Sequence, residues 1–284
     1  MAKISSSQLE VLNNLDAELR HYIEAADGED YSPAIEKDKA TFKQLVKLET
    51  KTEREFAGYF KDLGDKLSVA INWSAYNSQI KAANTDILIT GALQLLEDER
   101  KILVSLAFGT YKEGIGIGLV AGGNLYNMPL NLANVQAKVD SQALKASNQL
   151  VKDVNSTTRD TLRSNLRTSL SLGESVDEAQ LRIMNTLNDP GGFRSRAIAR
   201  TEPVNSYGNG TLLFGQETGA KGKVISAVID DRTSPICREL QERYGSQNNA
   251  QKLDKPYVWY SAGGGSSDAP GFHVNCRTGH YLLY

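Results

Sequence analysis

Residues 223–237 read KVISAVIDDRTSPIC. The run from Lys223 to Ile229 is short, apolar and rich in β-branched side chains, which suits a strand, and two similar runs follow at Tyr257 to Tyr260 and His280 to Tyr284. The character of the chain changes after Gly191, and these runs decide the fold class. It is α+β, with a mostly helical N-terminal unit followed by a smaller mixed helix and strand C-terminal domain. The division expected is 1–134 and 135–284. Between the strand runs, the polar stretch from Ser246 to Lys255 and the glycine- and serine-rich AGGGSSDAPG from Ala262 to Gly271 read as surface loops.

Upstream, from Ser6 to about Asn134, nearly every segment carries helical periodicity, and proline is confined to Pro33 and Pro129. Phe56, Tyr59, Phe60, Leu63 and Leu67 recur at three- and four-residue steps and belong on one buried helix face. Ile87 to Leu96 and Ile102 to Phe108 are apolar enough for a core, and the charged EDER between them, Glu97 to Arg100, is a solvated face or a turn. Gly114, Gly118 and Gly122 then recur every fourth residue. They form either a side-chain-free groove on a helix, open to close approach by another backbone, or a flexible bend. No G-K-[ST] follows them, so they are not a phosphate loop. Helical signals return from Leu132 to Leu187, with Ser175 and Glu178 spaced as a capping box. Arg159, Arg163 and Arg167 line one side of that region, either as a solvated face partnered by Asp153 and Asp160 or as a nucleic-acid contact for phosphate.

Composition sets the outer bounds. The chain has 284 residues and 31.1 kDa, enough for two units. Its 32 basic and 34 acidic side chains leave 32 − 34 = −2, which excludes a globally basic nucleic-acid binder and leaves room only for a local patch. Two cysteines are too few for a secreted disulfide scaffold, and MAKISSSQLEVLNN lacks the apolar core of a signal peptide, so synthesis in the cytoplasm is expected. Ile102 to Gly122 is the most membrane-like stretch, but Lys112 and Glu113 interrupt it, whereas a spanning helix needs ~20 nearly uncharged residues. It reads as a core helix, with no membrane partner.

Chemistry concentrates near the C-terminus. Cys237, His273 and Cys276 are soft or borderline ligands, and a His and a Cys three residues apart can reach one ion from a single turn while Cys237 arrives from another segment. The fourth ligand of a tetrahedral zinc site would come from Asp230, Asp231 or His280. Two unrelated buried thiols, or a disulfide between Cys237 and Cys276, explain the same residues. In IARTEPVNSYGNG, Glu202, Asn205 and Asn209 share a helix face, and Arg200, Glu202 and Asn205 are read as an internal brace. Glu202 as a general base lacks an evident partner. Pro203 would kink a helix already running there.

Taken in order, IARTE at Ile198 to Glu202 with Asn205 behind it, DDRTSPIC at Asp230 to Cys237 and FHVNCR at Phe272 to Arg277 resemble the Mu F-like minor head proteins, or head-morphogenesis proteins, of tailed bacteriophages. The resemblance covers roughly Val135 to His280. The chain departs from the family's usual C-R-C ending, reading Cys276, Arg277 and Thr278, so a second local cysteine ligand is missing. The resemblance implies a non-enzymatic minor capsid protein of low copy number. It would be made in the host cytoplasm, housed in the phage head interior and associated with the portal protein and the packaged DNA. Major capsid or scaffolding protein is a further partner, and the role is head assembly or DNA delivery. The helical unit, 1–134, would then dock to a partner through apolar helix faces. The alternative is a metal-dependent hydrolase or nuclease working at the Cys/His/Cys site, with Asp230 or Glu202 as base.

Overall fold

The long apolar stripes become long helices. In the computed structural model, which describes residues 31–78 and 85–284, the chain runs through α1 (Pro33–Glu36), α2 (Lys39–Ala70), α3 (Trp73–Ser78), α4 (Thr85–Leu88) and α5 (Thr90–Tyr126). It continues through α6 (Leu132–Leu172), α7 (Val176–Leu187) and α8 (Phe193–Thr218). Then come β1 (Gly222–Ser226), α9 (Pro235–Tyr244), β2 (Gln251–Lys252), β3 (Tyr257–Trp259), β4 (Gly265–Ser267) and β5 (Gly279–Leu283). A helical region followed by a short helix and small antiparallel sheets is the expected α+β class. The helical reading of residues 6–30 lies outside the described residues.

Contacts divide the chain into two units: one of residues 48–113 and 132–195, the other of the described residues up to 47 with 114–131 and 196–284. Neither follows a single cut after residue 134, because each is assembled from separate chain segments.

The first unit is built on helix faces. Phe56, Tyr59, Phe60, Leu63 and Leu67 of α2 are all buried, as their spacing predicts, and the rings of Tyr59 and Phe60 meet edge to face at 5.6 Å. Each such side chain contributes about 1.5–3 kcal/mol by leaving water. On α6, Val135, Val139, Ala143, Val151, Val154, Leu162 and Leu166 keep the same three- and four-residue rhythm of burial. The EDER stretch makes no turn. α5 runs straight through it, with Glu97, Asp98 and Arg100 exposed and Glu99 buried against Lys66 at 2.7 Å. The capping box forms as spaced: Ser175 accepts from the Glu178 amide and the Glu178 carboxylate accepts from the Ser175 amide at 2.8 Å.

In the second unit the glycine alternatives resolve to the groove. α5 stays helical through Gly114, Gly118 and Gly122. A Cβ on Gly118 would strike the Tyr207 carbonyl, and one on Gly210 would strike that of Ile115, so the two backbones meet where only glycine fits. α8 also continues through Pro203, whose carbonyl accepts from the Ser206 hydroxyl at 2.8 Å. Of the described helices, α5 is long and apolar enough to cross a membrane, and half of its most apolar window is buried.

The three strand runs become β1, β3 and β5. One sheet has the order β2-β1-β5, antiparallel, with Lys223 opposite Leu282 and Ile225 opposite His280. The other pairs β3 with β4, Tyr257 opposite Ser267. Two stretches read as loops therefore contribute strands, since β2 (Gln-Lys) and β4 (Gly-Ser-Ser) pair through backbone alone and carry no apolar alternation. Beside these sheets, Ile225, Ile236, Leu240, Tyr257, Trp259 and Phe272 form a core that includes Cys237 and Cys276.

Candidate metal centre

Ser234 starts α9 as its N-cap, accepting the Cys237 amide at 3.2 Å, and Pro235 takes the first helical position. This fixes Cys237 in the first turn with its thiol in the core. The second arm is the turn from His273 to Cys276, closed by the Cys276 amide donating to the His273 carbonyl at 3.2 Å. Asn275 takes a left-handed conformation there, φ 59°, which asparagine tolerates better than most residues. Its amide donates to Thr201 Oγ1 at 3.0 Å, tying the turn to α8.

These arms bring the Cys237 and Cys276 sulfurs to 3.8 Å and His273 Nε2 to 3.0 Å from the Cys237 sulfur, with all three ligand atoms within 4.8 Å of one another. Both cysteines are free thiols here and buried, and their proximity argues against two unrelated thiols. Two thiolates on one tetrahedral zinc, each at ~2.3 Å, lie ~3.8 Å apart, so the sulfur spacing fits such an ion. The His273 ring is oriented for ligation: Val274 O accepts from Nδ1 at 2.7 Å, so Nδ1 carries a proton and Nε2 is the nitrogen that faces the sulfurs. The trio is therefore a group that could hold a metal ion.

Its electrostatics suit a site that binds as an anion. A hydrogen bond from Cys237, opposed by burial and assisted by His273, holds the Cys276 thiol well below its usual pKa. That same hydrogen bond and burial push Cys237 up, so the pair releases one proton readily and keeps the second. Burial opposes a charged His273, but the hydrogen bond and charge of Cys276 outweigh it and raise the imidazole pKa. Ser234 Oγ lies 2.7 Å from His273 Nε2, and the Thr278 hydroxyl donates to the Cys237 sulfur at 3.0 Å.

Neither Asp230 nor His280 belongs to the trio. The Asp230 carboxylate accepts from Arg277 at 2.9 and 3.0 Å, from Arg232 at 3.2 Å and from Thr233 Oγ1 at 2.9 Å. Burial alone would raise its pKa, but Arg277 and Thr233 hold it far below the usual carboxylate range. It locks the loop before α9 to the residue after Cys276 and is not a fourth ligand. His280 is buried with Nε2 2.7 Å from Thr211 Oγ1, and burial together with the charge of Lys223 keeps its pKa down at about 3. Asp231 is exposed.

Thr201, inside the stretch read as a brace, reaches the ligand turn. Arg200 and Glu202 are half-buried on α8, and Asn205 Oδ1 accepts from Asn209 rather than from a strand. Asn205 instead backs onto Gly271, φ 110°, where any side chain would collide with it. A hydrogen bond between the IARTE stretch and the ligand turn is made by Thr201, whose hydroxyl oxygen accepts the Asn275 amide. Sequence reading also missed Glu239, whose carboxylate accepts the amides of Tyr260 and Ser261 at 3.0 and 2.8 Å and pairs with Arg243 at 3.1 Å. The Ser261 hydrogen bonds lead in holding its pKa at about 2. No local motif announces either residue.

In the other unit the basic stripe is uneven. Arg163 pairs with Asp86 at 2.9 Å and Asp160 at 3.8 Å, Arg167 is exposed, and Arg159 is half-buried with its Nε shut from solvent. Asp153 accepts from Gln149 at 2.9 and 3.0 Å. A solvated, partly neutralised face describes this better than a row of free cations.

Compared with models of protein families, with curated proteins and with solved structures, the chain matches none.

Proposed function

We propose that this chain is a minor head protein of a tailed bacteriophage, of the Mu F-like type, in which Cys237, His273 and Cys276 hold a zinc ion as a structural clasp. One observation supports the reading above the others: the three stretches that carry the resemblance are tied to one another. IARTE reaches FHVNCR through Thr201 and Asn275, DDRTSPIC reaches it through Asp230 and Arg277, and the Cys/His/Cys trio closes the set. Buried sulfurs favour a structural ion, because metal binding free energy then becomes folding free energy. In this reading the protein sits at low copy number in the head beside the portal and packaged DNA, and the helical surfaces supply the contact. Crosslinking mass spectrometry on intact particles tests it: crosslinks to the portal protein are expected, and absence of the chain from purified particles would overturn the assignment.

The hydrolase reading keeps one supporting observation, since three protein ligands is the count of a catalytic zinc. It is weakened by the arginines that occupy Asp230, the carboxylate it would use as base. Zinc-dependent cleavage of DNA or peptide, abolished by His273→Ala, would favour it.

A further inference from the structure

The sulfurs of Cys237 and Cys276 face each other at 3.8 Å, close enough to be hydrogen-bonded and too far to be bonded covalently. They lie on two segments of the chain that other contacts already hold together. Cys237 is fixed by the Ser234 cap, and Cys276 by the turn that Thr201 and the Arg277–Asp230 pair anchor. Both thiols are in the core, but His273 is half-exposed and Val274 is exposed, so the site lies just beneath the surface.

We propose that Cys237 and Cys276 form a dithiol–disulfide pair, and that closing it excludes the metal from the same site. This deepens the clasp reading above and rests on it for the metal half. The oxidant is a small disulfide such as oxidised glutathione. One cysteine thiolate attacks a sulfur of that disulfide, breaks its S–S bond and releases one thiol. The second cysteine thiolate attacks the resulting mixed disulfide, forms the Cys237–Cys276 bond and releases the other thiol. The two cysteine protons pass to the two released thiolates, and two electrons move from the protein to the oxidant. Neither sulfur of the disulfide can then serve as a thiolate ligand, so zinc leaves with oxidation and bound zinc shields the pair. A chain folded in a reducing cytoplasm and later carried outside a cell would pass from a metal clasp to a covalent one, and the two segments would stay joined throughout.

The experiment uses the full-length protein, reduced and stripped with a chelator, then divided with and without added zinc and exposed to oxidised glutathione. Without zinc, both thiols become inaccessible to an alkylating agent, the chain stays monomeric on a non-reducing gel, and peptide mapping finds Cys237 joined to Cys276. Zinc slows this about tenfold or more. Cys237→Ser should stop at a glutathione adduct on Cys276. Stable glutathione adducts on both cysteines of the native chain, or two thiols that survive oxidation although a small alkylating agent reaches both, overturn the proposal. Zinc content measured on the same reduced sample separates the two ideas. Bound zinc with no disulfide sinks the pair and leaves the clasp, whereas a disulfide with no bound zinc sustains the pair and removes the clasp.

Discussion

Between Phe56 and Leu67 the chain buries a large apolar side chain at nearly every turn of one helix. Between β1 and β5 the strands are two to five residues long, and side-chain ties hold the loops, among them Glu239 to the amides after β3, Asp230 to Arg277, and the Cys237, His273 and Cys276 trio. The helical unit relies on apolar area spread along its helices, whereas the C-terminal region adds to a small apolar core side-chain ties between loops and one ligand cluster. The first arrangement should respond to lost volume, and the second to lost partners, to metal and to pH.

The largest effect expected is in the helical unit. Phe60→Ala removes a fully buried ring beside Phe56 and Tyr59 and should cost about 3–5 kcal/mol in denaturant unfolding. Chelation should leave that loss unchanged. Cys276→Ala sharpens the contrast from the other side. It should cost about 2–4 kcal/mol, confined by hydrogen exchange to residues around α9 and β5, with amides of 48–113 and 132–195 unaffected. Uniform loss of protection across both units would erase the distinction.

Titration gives an intermediate test. Lys223 is buried in β1, its ammonium donating to the Asp268 carbonyl at 2.6 Å and lying 4.8 Å over the Tyr257 ring, and burial lowers its pKa from 10.5 to about 8. Below pH 8 both folded and unfolded chains carry this charge, and the fold bears the cost of burying it. From about pH 8 to 10.5 the folded chain loses the proton first, so this residue makes stability rise with pH, by about 1–2 kcal/mol. His280 acts in the same sense at lower pH: neutral in the fold down to about pH 3, it takes up a proton when unfolded below 6.5, so stability falls as pH drops from about 6.5 to 3. Lys223→Met should flatten the alkaline rise in urea midpoints, and an unchanged rise would assign it to other groups. The smallest effect is at the helix cap: Ser175→Ala should cost about 1 kcal/mol, read as a lowered Tm, with no dependence on metal.

The same contrast explains what the sequence made legible. The Phe56 stripe, the Ser175 cap and the apolar runs of β1, β3 and β5 are local patterns, and each forms as spaced. Cys237, His273 and Cys276 were legible from another source, ligand chemistry, which singles out rare residue types however far apart they lie. Asp230 shows the limit. Its carboxylate looks like a ligand in sequence, but an arginine 47 residues away takes it, and nothing local distinguishes the two uses. β2 and β4 escaped because backbone pairing leaves no mark on Gln, Lys, Gly or Ser side chains. Thr201 escaped because its hydroxyl acts on a turn 74 residues away. The unit boundaries escaped because contact between distant segments, and not order along the chain, defines them.

The clasp itself is tested most directly by zinc-edge X-ray absorption on protein purified without added metal. The account predicts about one bound zinc per chain, with two sulfurs at ~2.3 Å, one imidazole nitrogen at ~2.0–2.1 Å and one further light atom. A protein that binds no zinc, or a shell of oxygens without sulfur, would contradict it.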